Sequence, residues 1–224
     1  MLLNMMKLLK LLTFLLMLMT VVMACSKSEL WSEGNPYVYA WPEGKKYYYT
    51  FEEKTYLNEV PNEIVVSFDK KYLTKIQTTL LKNTQISNMI LDDVNNIFIL
   101  TTTGNTDLKA LMKDLKKQTG VKSVNPVYMQ ADYISPEMYF TDEISVLFKD
   151  NVFRQEIIEI HKKYRVTVKK HPYPDLFPAS HQILSVPVNA DMLGIANAYQ
   201  ESGLVIYSYP NFLSKSSTTL LTFN

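Results

Sequence analysis

The sequence predicts an α+β protein in which one strand-helix-strand-strand-helix-strand unit occurs twice. The strand patterns "EIVVSF" (63–68) and "EISVLF" (143–148) match at a constant offset of 80 residues. Asp107 and Asp191, each placed where a second helix should begin, lie 84 residues apart. Strand spacing and helix-start spacing therefore indicate the same internal duplication.

The first strand and first helix of each copy follow from hydrophobic periodicity. Ile64, Val66 and Phe68 alternate with their neighbours, as do their counterparts in the second copy, so each set lies on one face of a strand. Apolar residues then recur at helical spacing. The helical positions are Leu73, Ile76 and Leu80 in the first copy, and Phe153, Ile157, Ile160 and Tyr164 in the second.

The remaining elements repeat in the same order. Two strands follow in each copy, around 86–91 and 97–102, then 166–170 and 183–188. The second helix begins at the aspartate, whose carboxylate accepts free N–H groups, and ends near Gly120 or Gly203.

A unit of this order closes as a four-stranded antiparallel sheet with both helices on one face. We therefore predict two tandem ferredoxin-like βαββαβ domains, at 63–135 and 136–213, and a C-terminal tail at 214–224.

The N-terminal segment 1–24 is predicted to be an export signal. Lys7 and Lys10 precede an apolar run too short for a membrane-spanning helix, which needs about 20 residues. The run ends in "VMAC", which resembles the lipobox of bacterial lipoproteins and makes Cys25 the predicted lipid-attachment site. A stray thiol ahead of a soluble domain is the alternative. Cys25 is the single cysteine, so no internal disulfide can form.

Residues 25–62 read as a tether followed by a short tyrosine-rich hairpin, because "YYYTF" and "KTYL" flank Glu52 and Glu53. Without residues 1–24 the chain keeps 21 of its 23 basic residues against 22 acidic ones. A chain this close to neutral has no electrostatic footprint for nucleic acid.

The second copy resembles the propeptide of subtilisin-like serine proteases, the inhibitor-type prodomain. The stretches that carry the resemblance are "EISVLFKD", "FRQEIIEIHKKYRV" and "ILSVPVNADMLGIANAYQESGLVIYSYPNF". About 70 residues match well, and the first copy, ending in "TGVKSVNPVY", matches loosely.

The resemblance implies a partner and a mode of binding. In that family the sheet face without helices docks on the catalytic domain, and the C-terminal tail lies in the active-site cleft. On this chain it implies protease contact by Tyr209, Pro210, Asn211, Phe212, Leu221, Thr222, Phe223 and Asn224. Two alternatives stay open: the sister copy or the hairpin covers the face, and the tail adds as a strand to the protein's own sheet.

The sequence contains no recognisable catalytic or cofactor motif. No glycine precedes a serine by two positions, so the nucleophile elbow is missing, as is any phosphate-binding glycine motif. His161, His171 and His181 lack the spacing of metal ligands. We therefore expect a non-enzyme without cofactor or metal.

These expectations combine into a lipoprotein of the bacterial cell envelope, anchored in the outer membrane, that binds and inhibits or chaperones a subtilisin-type serine protease. A structural or adhesive surface lipoprotein, or the detached N-terminal region of a subtilase, is the alternative. A tail paired with its own sheet would favour the structural role, whereas a free tail would favour inhibition.

Overall fold

The structure, a computed structural model, describes residues 41, 44–131, 135–169, 178–214 and, for the backbone alone, 221–223. The predicted signal peptide, Cys25, His171 and Asn224 lie outside the described residues, as does most of the tether.

The described residues form ten strands and four α-helices. The first half contains β1 (Tyr47–Thr50), β2 (Glu53–Phe68), α1 (Leu73–Leu81), β3 (Ile86–Asp92), β4 (Ile97–Thr102), α2 (Leu108–Leu115) and β5 (Val121–Gln130). The second half contains β6 (Met138–Phe148), α3 (Arg154–Tyr164), β7 (Thr167–Lys169), β8 (His181–Ser185), α4 (Met192–Glu201) and β9 (Val205–Ser214), and β10 (Leu221–Phe223) follows.

All ten strands belong to one antiparallel, curled sheet. Its order is β10-β3-β4-β2-β5-β6-β8-β7, with β1 paired to β2 and β9 paired to β6. Each half thus contributes its strands in a matching order, β3-β4-β2-β5 and β7-β8-β6-β9. The repeat is visible in the sheet itself.

The prediction of two tandem ferredoxin-like domains, each with its own four-stranded sheet, is wrong. The two halves are joined edge to edge because β5 pairs with β6, with Tyr128 opposite Met138. The first strand of the second half begins at Met138, five residues before the predicted 143–148, and these extra residues make the junction. Aromatic side chains cause the merger, since Phe140 on β6 packs against Tyr128 on β5 with ring centroids 5.4 Å apart, and both are buried.

The tyrosine-rich hairpin is present as β1 and the start of β2, with Tyr47 opposite Tyr56. Its second strand continues without a break into the first strand of the repeat. The register of β2 against β5 shifts between Glu59 and Ile64, where Asn62 has a φ of 60°. Such an irregularity bends a strand, so one strand serves both the hairpin and the main sheet.

The helices of each half cover the same face of the sheet. In the first half, Ile76 and Leu80 of α1 and Leu111 of α2 pack on the buried strand residues Val66 and Leu100. In the second half, Ile160 of α3 and several residues of α4 pack on Ile144, Val146 and Leu184. These side chains form the two main cores.

The predicted starts of the second helices are confirmed by their hydrogen bonds. The Asp107 carboxylate accepts the backbone N–H of Ala110 at 3.1 Å, and the Asp191 carboxylate accepts that of Gly194 at 3.1 Å. Gly120 follows α2 with a φ of 92°, and a Cβ there would lie 2.4 Å from the Tyr72 ring. Glycine is therefore required at this chain reversal.

The hairpin packs on the outer side of α4. The Asn197 side-chain amide donates to the Tyr47 carbonyl at 3.1 Å, and the Tyr49 hydroxyl donates to Glu201 at 3.0 Å. Every residue from Met192 to Tyr199 is buried, because the sheet covers one side of the helix and the hairpin the other. The hairpin was one candidate cover for the sheet face without helices, and it lies on the helix layer instead.

Candidate functional site

The sheet surface opposite the helices differs between the two halves. We call the part on β2, β4 and β5 the first-half face, and the part on β6, β7, β8 and β9 the second-half face. The second-half face is centred on Ser145, which lies opposite Ile183 on β8 and Tyr209 on β9. Its side chains are Glu143, Ser145, Leu147, Lys169, His181, Ile183, Ser185, Tyr207 and Tyr209.

The centre of the first-half face is apolar and closed, and the polar side chains Glu63, Ser67, Ser123 and Asn125 lie around it. Val65, Ile97, Ile99 and Val127 form a buried cluster with Tyr139 of β6, and Leu213 of β9 packs against it. The second half of the chain therefore helps to cover this face, as one of the alternatives from the sequence proposed.

The second-half face carries an exposed pair of aromatic rings. Tyr207 and Tyr209 stack with centroids 5.1 Å apart, and the Tyr209 side chain is 38% exposed. The His181 ring lies 6.0 Å from that of Tyr207. Burial raises the pKa of Tyr207, so its hydroxyl stays protonated at neutral pH and can donate a hydrogen bond.

A charged network borders these rings. The Lys169 ammonium pairs with the Glu143 carboxylate, which also accepts the Asn211 side-chain amide at 3.2 Å. Burial acts to lower the pKa of Lys169, but the hydrogen bond and charge of Glu143 raise it above its ordinary value. The Lys169 ammonium therefore stays protonated across the neutral range, and the ion pair places a cation next to a carboxylate near the aromatic rings.

Ser145 and His181 resemble a nucleophile and its general base, with Oγ and Nε2 2.8 Å apart. Both side chains are buried, and β6 pairs with a strand on either side of Ser145. The backbone N–H and C=O groups around Ser145 are therefore used in strand pairing. Acyl transfer needs backbone N–H groups that point at the oxyanion as it develops. The pair acts as a structural hydrogen bond between β6 and β8.

The predicted contact residues fall in two places. Tyr209 lies on the second-half face and Pro210 is buried on the helix side. Asn211 binds Glu143, and the 41% exposed Phe212 packs its ring 5.9 Å from that of Phe140. Residues 221–223 form β10, whose backbone pairs with β3 at the far end of the sheet.

Sequence reasoning missed Tyr207, Lys169 and Glu143 as members of this surface. Tyr207 and Tyr209 are two apart on one strand, a spacing that places both on one face, so this signal was available. The approach of Lys169 to Glu143 joins residues 26 apart and depends on the pairing of β7, β8 and β6.

Within the described ranges, no group of three or more His, Cys, Asp or Glu side chains is placed to hold a metal ion. None of the helices in that part of the chain is long and apolar enough to cross a bilayer. Comparison with family models, with curated proteins and with solved structures finds no match to this chain.

Proposed function

We propose that this protein is a lipid-anchored binding protein of the bacterial cell envelope that holds another protein against its second-half face. A subtilisin-type serine protease is the proposed partner, on the strength of the propeptide-like stretches in residues 143–212. Binding inhibits the protease or assists its folding.

The observation that carries the proposal is the contrast between the two faces. The centre of the first-half face is closed by the chain's own Tyr139 and Leu213, while Tyr209, beside the central Ser145 of the second-half face, is exposed. Tyrosines are enriched in protein interfaces because one ring offers both apolar area and a hydrogen-bonding hydroxyl. A charged pair beside the rings adds orientation and partner discrimination.

The proposed contact relies on the sheet face more than on the tail. The backbone of Leu221–Phe223 pairs with β3, so these residues reach a protease cleft only after that pairing opens. Three paired residues make a short strand, and short edge strands are weakly held. We therefore assign the main contact to Tyr207 and Tyr209 and a secondary one to the tail.

The proposed anchor is a lipid on Cys25. A lipoprotein carrying more than one acyl chain stays on a membrane, because each buried methylene contributes about 0.8 kcal/mol. Fifteen residues lie between Cys25 and Trp41. Extended, they span at most about 55 Å, which leaves room for a bound protein between the membrane and the folded part.

A structural or adhesive role is the second candidate, and the pairing of β10 with β3 favours it. In that case the tail completes the sheet edge, and the second-half face meets envelope components other than proteases.

Inhibition separates the two roles. The full chain in nonionic detergent is titrated into several subtilisin-type proteases, and we expect inhibition at micromolar concentration or below. Tyr209→Lys should weaken inhibition at least tenfold, because it replaces the central ring with a hydrated cation. Val94→Lys, at a 75% exposed position in the turn between β3 and β4, is the matched control and should leave inhibition unchanged.

Flat activity curves for every protease would contradict the proposal and support the structural role. Deletion of Ser216–Asn224 tests the tail separately: unchanged inhibition would limit the contact to the sheet face.

A further inference from the structure

A cleft of about 580 Å³ lies between the two halves on the helix side of the sheet, away from the second-half face. Pro126 of β5, which is half-buried, lies on its floor together with the fully buried Val124 of β5 and Phe140 of β6. Leu108 and Met112 of α2 form one wall, and Met192 at the start of α4 lies on the other. Pockets that hold small ligands measure roughly 300–1,000 Å³ and are mostly apolar, so this cleft has a suitable size and lining.

The charged side chains that line the cleft differ in how many hydrogen-bond and ion-pair partners they have. Asp191 accepts the Trp41 indole N–H at 2.9 Å and the Lys46 ammonium at 3.4 Å, in addition to its helix-capping bond. Glu59 accepts the Tyr128 hydroxyl at 3.5 Å. The charged lining residues are Lys46, Lys109 and Lys116 against Glu59 and Asp191, so the cleft is positive by one charge.

Among the described residues, Lys109 and Lys116 both line the cleft without a fixed counterion; Lys109 is exposed, whereas Lys116 is half-buried. Lys116 follows the last turn of α2, and in the described part of the chain no hydrogen bond or ion pair joins its ammonium to an acceptor. Burial lowers its pKa, although the charge of Asp191 acts in the opposite direction. A nearby anion stabilises a half-buried ammonium more than a fully exposed one, because the surrounding protein screens the attraction less than water does.

We propose that this cleft binds a small organic anion in which one carboxylate is carried on an unbranched apolar chain. The carboxylate pairs with Lys116, and the chain lies against the partly exposed Pro126, Leu108 and Met112 between the two helices. This inference uses a different surface from the proposed protease contact, so either can fail without the other.

Trp41 provides a reporter at the cleft. Its indole bonds Asp191, and the Lys46 ammonium lies 4.1 Å from its ring centroid. The chain has two tryptophans, and Trp31→Phe leaves Trp41 as the single fluorophore. Octanoate, which stays monomeric and water-soluble, is titrated into the full Trp31→Phe chain in lipid nanodiscs, with empty nanodiscs as background. We expect a saturable fluorescence change.

Two substitutions and two probes test the charge. Lys116→Met keeps the apolar stem and should raise the octanoate Kd at least tenfold, while Lys113→Met, on the exposed side of the same helix, should leave it unchanged. Octanol and octyltrimethylammonium, which lack the negative charge, should bind at least tenfold more weakly than octanoate. A second variant, Leu108→Phe, narrows the cleft without adding a tryptophan and should weaken octanoate binding.

The proposal is overturned if octanoate gives no saturable signal, if Lys116→Met binds it as the parent does, or if octanol binds equally well. Lys116→Met should keep the thermal unfolding midpoint of the parent, because the half-exposed Met stem preserves the local packing. A loss of octanoate binding in this variant then reflects the missing charge and not unfolding.

Discussion

The two faces opposite the helices share one backbone pattern and differ in what covers them. Val65 pairs with Ile99 in the first half, and Ser145 pairs with Ile183 at the equivalent place in the second. Val65 is 0% and Ile99 4% exposed, whereas Ile183 is half-buried beside the exposed Tyr209. A duplicated strand pattern therefore supports one face that belongs to the core and one that can meet another molecule.

The difference arises from the path of β6 and β9. Both strands extend beyond the repeat unit, and the extra residues carry Tyr139 and Leu213 beneath the first-half face. β2 and β5 extend in the same way, with Leu57 opposite Gln130, but this part of β2 continues into the hairpin that packs on α4. The two copies of the unit therefore differ in how well their faces opposite the helices are covered, because of the way their strands are joined.

Substitution at the junction should produce the largest effect. Phe140 is buried between Tyr48, Tyr128 and Phe212, and Phe140→Ala should lower the free energy of unfolding by about 3–5 kcal/mol. Because the halves share one sheet, Trp41 fluorescence and far-UV circular dichroism should report one guanidinium transition. Phe51→Ala, at a 77% exposed position, is the control and should cost less than about 0.5 kcal/mol. Two separate transitions would show that the halves unfold independently.

The equivalent isoleucines compare the two faces directly. Ile99→Ala should cost about 2–5 kcal/mol in urea unfolding, because it opens a cavity in a closed cluster. Ile183→Ala should cost roughly 1 kcal/mol, since water can fill the space left by a half-exposed side chain. Equal losses at the two positions would mean that the second-half face is as well covered as the first.

The two helix-capping aspartates, Asp107 and Asp191, allow the two halves to be compared on the helix side of the sheet. Asp107→Ala removes one helix-capping bond and should cost about 1 kcal/mol. Asp191→Ala should cost roughly 2 kcal/mol, because it also deprives the Trp41 indole and the Lys46 ammonium of their acceptor. Thermal unfolding of the two variants measures the difference, and a smaller loss for Asp191→Ala would contradict the role given to these contacts.

The smallest expected effect is a dependence of the free energy of unfolding on pH. It should arise from the second half, which contains all three histidines. Burial lowers the pKa of His161, whose ring bonds the Tyr199 hydroxyl and the Gln182 carbonyl at 2.8 Å each. The unfolded chain then takes up a proton before the folded one does. The free energy of unfolding should therefore be highest above about pH 6.5 and fall as the pH drops through that value toward the folded-state pKa.

Urea unfolding between pH 7.5 and 5.5 measures this dependence. His161→Gln should flatten it, while His181→Gln, the matched substitution on the opposite face, should leave the His161 contribution in place. An unchanged slope in His161→Gln would contradict the assignment.

Local features were predictable wherever neighbouring residues decide them. Alternation placed Ile64, Val66 and Phe68 on one face, and the aspartates at 107 and 191 marked the second helices. Tyr209 was named only through the propeptide resemblance, and the alternation that places it on one face with Tyr207 was not used. The burial of Ile97 and Ile99 on the face without helices did not follow from the sequence, because apolar residues on both sides of a strand do not reveal what covers each side.

The sequence by itself determined the duplication, the order of strands and helices in each half, and the hairpin, because alternation, helical spacing and capping act over a few residues. Only the tertiary structure decided that β5 and β6 join the halves into one sheet and that the hairpin packs on α4. Likewise, it placed Tyr139 and Leu213 under one face and left the other partly exposed, most of all at Tyr209. These outcomes depend on contacts between residues tens of positions apart, where many pairings of similar apolar strands compete and the burial of Phe140 with Tyr128 and Phe212 selects one.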